Sequence, residues 1–187
     1  MSVPVVLIMG SLSAGIDNIA RRLADQFNFH LVNTTRLTPA QLKATVVAVA
    51  NEGRRRGVLV QNFPRTHKVL LDAREFLGKD FPRLTIFLDC EEQMVREHWL
   101  KTITSSDPDA EVEKRIQRMH NNNGPLLENL EKTTGLERFF NDGQNASWRV
   151  YLSLLTQLMD NDTWCAIVAS GPLGLSKNTD VQSLNAV

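Results

Sequence analysis

At 187 residues, 42% of them hydrophobic, the chain suits one folded globular domain with a sizeable core. Its 21 basic and 21 acidic residues cancel, so no global field recruits nucleic acid or an acidic membrane, and the local cluster Arg54-Arg55-Arg56 reads as a solvated helix end. Cys90 and Cys165 have neither metal-ligand spacing nor a disulfide framework, Met1 to Met9 lacks the basic leader of a signal peptide, and no apolar run approaches a membrane span, so a cytoplasmic protein is expected.

Val5 to Met9 is a continuous apolar run, the pattern of a strand buried on both faces. It meets a small-residue turn, Gly10 to Gly15, and from Ile16 the residues Ile19, Ala20, Leu23, Ala24 and Phe27 follow helical spacing. Phe29 to Asn33 is a second strand. Thr38-Pro39 supplies an N-cap with proline at the first helical position, Leu42, Val46, Val49 and Ala50 give an apolar face, and Gly53 closes the helix. Gly57 to Gln61 reads as a third strand, followed by a helix carrying Val69, Leu70, Ala73, Phe76 and Leu77, a fourth strand over Leu84 to Asp89 and a helix over Glu91 to Lys101. Beyond the polar stretch Thr102 to Pro108, Val112, Ile116 and Met119 line one helix, and Gly124-Pro125 separates it from another carrying Leu126, Leu127 and Leu130. Leu136 to Phe140 is the fifth strand, Asn141-Asp142-Gly143 a turn, and Trp148 to Met159 the last helix. Residues 1–170 form the domain and 171–187 a polar, aperiodic tail.

Five strands alternating with helices predict an α/β fold, a doubly wound parallel sheet with Val5 to Met9 near its centre and its ligand crevice at the carboxyl ends of the strands. At that end of the first strand, Gly10 and Gly15 have the separation of the glycines in the phosphate-binding pattern G-x-x-x-x-G-K-[ST]. The lysine that reaches the terminal phosphates is replaced by Ile16. Asp17 puts a carboxylate at the positive end of the helix macrodipole, where a phosphate would lie, and Asp17 and Asn18 are expected to satisfy the helix N-terminus themselves. His30, His67, His98 and His120 have no spacing that suits a metal, and Trp99, Trp148 and Trp164 read as core or interface anchors.

Several segments together resemble adenylate kinase and the related nucleoside monophosphate kinases of the short-lid type, over roughly residues 3 to 159. Besides the loop, QNFPRT at Gln61 to Thr66 is similar to the family's Asp-Gly-Phe/Tyr-Pro-Arg segment and IFLDC at Ile86 to Cys90 to its fourth strand. EKRI at Glu113 to Ile116 looks like its lid-proximal Lys-Lys-Arg-Leu, and PLLENLEK at Pro125 to Lys132 like its Pro-Val-Ile-x-Tyr-Tyr-x-Lys helix. The resemblance implies a P-loop NTPase-type fold with reduced acceptor-binding and lid segments. It also implies nucleotide-binding positions at Gly10, Ser11, Leu12, Ser13, Ala14, Gly15 and Ile16, with Arg65 on the acceptor phosphate and Arg115 on the transferred group.

Gln61 stands where the family's acidic residue organises magnesium, and Thr102 to Pro108 holds no lid arginine; Lys101 is the nearby cation, and Arg36 falls close to the family's acceptor-phosphate arginine. No catalytic residue, metal ligand or cofactor is therefore assigned. The leading expectation is a catalytically deficient pseudoenzyme acting as a structural or protein-interaction module with a protein partner, an axonemal role in cilia or flagella being one form of it. Nucleotide should bind weakly or not at all, and neither nucleic acid nor membrane is expected. Two alternatives stay open. One is a nucleoside monophosphate kinase, using ATP, Mg and a substitute cation such as Arg21, Arg65 or Lys101. The other is a metal-independent nucleotide sensor.

Overall fold

A computed structural model describes residues 3–10, 14–33, 37–141 and 147–170. Ser11 to Ser13, Arg36, Asp142-Gly143 and the tail from Gly171 lie outside the described residues. The strands are β1 (Val5–Gly10), β2 (Phe29–Asn33), β3 (Gly57–Gln61), β4 (Leu84–Cys90) and β5 (Gly135–Asn141). They form one five-stranded sheet in the order β2-β3-β1-β4-β5, every pair parallel, with β1 in the middle. The helices are α1 (Ile16–Phe27), α2 (Pro39–Glu52), α3 (His67–Leu77), α4 (Glu92–Thr102), α5 (Pro108–Thr133), α6 (Ser147–Met159) and α7 (Asp162–Ala169).

Successive residues of β1 point to opposite faces, so the strand feeds two cores. Val6 and Ile8 join α1, α6 and α7 on one face, while Val5, Leu7 and Met9 join α2, α3 and the end of α5 on the other. Burial on both faces is why a run without polar alternation forms a central strand. Local signals agree with the tertiary ones. Thr38 accepts from the Gln41 amide N–H while the Gln41 side chain accepts from the Thr38 backbone N–H, a capping box ahead of Pro39, and Gly53 closes α2 in the left-handed conformation.

Three expectations are corrected. Gly124-Pro125 does not separate two helices: α5 runs unbroken through it. A proline ring disfavours the α conformation by clashing with the Cβ of the residue before it, and Gly124 has none. Second, α7 follows α6 directly and carries the fully buried Trp164, which meets Phe27 edge-on at 5.0 Å and stacks with Phe29 at 5.9 Å. Third, the arginine cluster does more than solvate a helix end. Arg55 donates to Asn28 Oδ1 (3.0 Å), Asn28 donates to the Arg54 carbonyl (2.9 Å) and Arg56 donates to the Val168 carbonyl, binding the α1–β2 turn and α7 to the start of β3.

Candidate functional site

β1 leads into α1 on one face and its neighbour β3 into α3 on the other, so the sheet opens a crevice outside the carboxyl ends of these two strands. β1 approaches that crevice at Gly10, whose φ of 148° and closeness to β4 both demand glycine: a Cβ there would sit 2.1 Å from the Leu88 carbonyl oxygen. Gly15, at φ 78°, is the N-cap of α1, and its carbonyl accepts from the N–H groups of Asn18 and Ile19 at 3.2 Å. Ala14 is buried, and its carbonyl accepts from Asn141 Nδ2 at the end of β5 (3.3 Å). Both ends of the glycine-bounded turn are thus braced by neighbouring strands.

The side chains at the start of α1 bring no cation to the crevice. Ile16 is fully buried in the core on the α1 face of the sheet. Asp17, in the first turn of α1, accepts a hydrogen bond from the side-chain amide of Gln61 at the end of β3. Asp17 was expected to satisfy the helix N-terminus. Instead the N-cap is a glycine without a side chain, and the carboxylate takes its hydrogen bond across the crevice. Gln61 is 1% exposed, and its Oε1 has no hydrogen-bond partner among the described residues. Leaving an acceptor unpaired in the interior costs about 1–3 kcal/mol, so the site is held at some expense to stability. Reading the sequence found both residues and missed their contact, because positions 17 and 61 come together only through the β1–β3 pairing, which sets Ile8 beside Gln61.

The arginines stand apart from this pair. Arg65 is exposed just before α3, beside the N-cap Thr66, and has no ion pair among the described residues. Arg115 is exposed on α5 and bound to Glu111 of its own helix (3.1 Å). His67 meets Asn129 of α5 (2.8 Å), and His120 meets Glu92 of α4 (3.0 Å), its hydrogen bond holding the Glu92 carboxyl below the usual carboxylate range. Among the described residues no group of three or more His, Cys, Asp or Glu side chains could hold a metal ion, and no helix is long and apolar enough to cross a membrane. A cavity of about 320 Å³ lies at the other end of the sheet, by Pro4, Phe81 and Arg83, away from the crevice.

No protein-family model matches the chain, and no curated protein matches it. What the crevice can do therefore rests on its own chemistry. The carboxylate at the helix N-terminus opposes the dipole that would attract an anion. The neutral amide opposite adds no charge with which to organise a metal. Ile16 brings no cation to the turn.

Proposed function

We propose that the chain is a degenerate relative of the adenylate kinases, with a P-loop NTPase-type fold, that acts as a structural or protein-interaction module and does not transfer phosphate. The observation that carries this reading is the Asp17–Gln61 hydrogen bond, which spans the crevice between the glycine-bounded turn and the end of β3. Phosphoryl transfer depends on positioning and on neutralising charge on the moving group. A carboxylate and an amide joined to each other at that position do neither. The burial of Ile16 adds support, since no cation can reach a phosphate from that residue. Function then falls to the surface, with an axonemal protein partner as one form of it.

The test has two arms. Calorimetric titration with Mg-ATP should give no binding tighter than about 1 mM, equivalent to roughly −4 kcal/mol, and a coupled assay with ATP and AMP should give no turnover. In cells, a chain truncated after Ser170 should lose partner association or localisation, while Arg65→Ala with Arg115→Ala should keep both. Turnover would establish the kinase reading instead. A metal-independent nucleotide sensor is the second reading, favoured by the exposure of Arg65, which has no ion pair among the described residues. Saturable binding of AMP without Mg, abolished by Arg65→Ala, would establish it.

A further inference from the structure

We infer that the outward face of α6 is an interface with a second copy of this chain, in which the two α6 helices pack antiparallel about a two-fold axis. Three exposed large apolar residues stand on this one helix: Trp148 is 50%, Leu152 41% and Met159 55% exposed. With the core residue Leu155 between the last two, they advance by four, three and four residues, the steps of one row along a helix. Val150, Tyr151, Leu154 and Leu158 already hold α6 on the sheet, so the outer row is not needed to attach it. An aligned apolar row on the outside of a helix marks a contact surface.

A second row decides what covers it. Arg149, Ser153, Thr156 and Asp160 are all exposed and follow the same steps, one residue further on. The Asp160 backbone N–H donates to the Thr156 carbonyl (3.3 Å), so Asp160 continues the row just past the end of the helix. This row carries a cation at one end, an anion at the other and small polar residues between, and neither Arg149 nor Asp160 has an ion pair among the described residues. In an antiparallel pair related by a two-fold axis, each flank of one helix lies beside the same flank of the other, and every contact occurs twice. With Trp148 set on Met159 of the second copy, Leu152 meets Leu155 of the second copy and Arg149 meets Asp160 of the second copy. Tryptophan offers a large rigid surface, and a methionine sulfur is attracted to an aromatic ring. The face is thus complementary to itself in charge and in shape, which is why a second copy is its occupant. A helix of 13 residues is about 20 Å long and ~10 Å across, a small face beside the roughly 800 Å² that each partner of a stable complex buries, so the dimer is weak, with a Kd on the order of 10–100 μM. The contact uses neither the crevice nor the tail, and it stands apart from the functional reading above.

The experiment is sedimentation equilibrium of the whole chain from ~1 to ~500 μM, a range that brackets the expected Kd. The mass should rise from 21.0 kDa towards twice that value, and a chain that stays monomeric throughout overturns the proposal. Leu152→Glu, at an exposed position, should abolish the rise. Arg149→Asp and Asp160→Arg each set two like-charged pairs across the axis and should each raise Kd about tenfold. An equimolar mixture of these two variants should dimerise again, because each reversed end then meets the opposite charge. A dimer that Leu152→Glu or both charge reversals leave unchanged forms elsewhere on the surface and overturns the proposal. A mixture that associates no more tightly than its separate components overturns the antiparallel pairing. Should Leu152→Glu fail to fold, the charge reversals and their mixture decide.

Discussion

The side-chain amide of Gln61 donates to the carboxylate of Asp17, joining the end of β3 to the first turn of α1 across the mouth of the crevice. The two partners are unequal: Gln61 is buried and Asp17 is exposed. Leaving a buried polar group without its partner costs more than replacing that group by an apolar one of similar shape. Asp17→Ala leaves the Gln61 amide without its acceptor and should destabilise the fold by about 1–2 kcal/mol. Gln61→Leu also removes the orphan Oε1 and should be near neutral or stabilising. Urea unfolding of both variants checks this, and equal losses would mean that the hydrogen bond does not set the balance.

Placing a lysine at position 16 should not create a phosphate site. Ile16 has no exposed surface, so Ile16→Lys must either bury an ammonium group or pull α1 off the sheet. The expected result is a loss of at least ~3 kcal/mol, or failure to fold, with no gain in Mg-ATP affinity beyond that of Asp17→Gly alone. Thermal unfolding and calorimetry on the single and double variants decide it.

Gly10→Ala should be among the most damaging single-methyl additions in the chain. The added Cβ would meet the Leu88 carbonyl oxygen at 2.1 Å, in a backbone conformation that side chains rarely adopt. A loss of several kcal/mol is expected, on the order of 3 or more. Gly15→Ala, at a position where no described atom beyond its chain neighbours lies within 4 Å of the new Cβ, should cost only its left-handed backbone, ~1–2 kcal/mol. Denaturant midpoints give the comparison, and similar losses at both sites would contradict the close approach of β1 to β4.

Tyr151 is the one tyrosine of the chain, so its ionisation can be followed by absorbance without overlap from another phenol. Burial pushes its pKa up to about 12, partly offset by the charge of Arg22, and its hydroxyl donates to Gln26 (2.6 Å). The folded chain therefore holds the phenolic proton more tightly than the unfolded chain, whose phenol titrates near 10. The associated stability is fully present below pH 10 and is lost as the pH rises from 10 towards 12. A native midpoint at 10, or an alkaline loss of stability unchanged in Tyr151→Phe, would show that the phenol is not buried in this way.

The sequence by itself determined the strand and helix alternation, the parallel sheet with β1 at its centre and the glycines that end β1 and cap α1, because each is written in local terms. An apolar run of five, a helical spacing of three and four, and a threonine ahead of a proline require only near neighbours to be recognised. The tertiary structure alone decided what lies far apart along the chain. Gly124-Pro125 looked like a boundary because both residues disfavour helix, yet a glycine before the proline relieves the steric clash and packing on either side keeps α5 continuous. Arg56 reaches the Val168 carbonyl only because α7 folds back beside the α1–β2 turn. Asp17 meets Gln61 only because β1 and β3 are neighbours in register, which joins two residues far apart in the chain in a single contact that spans the crevice.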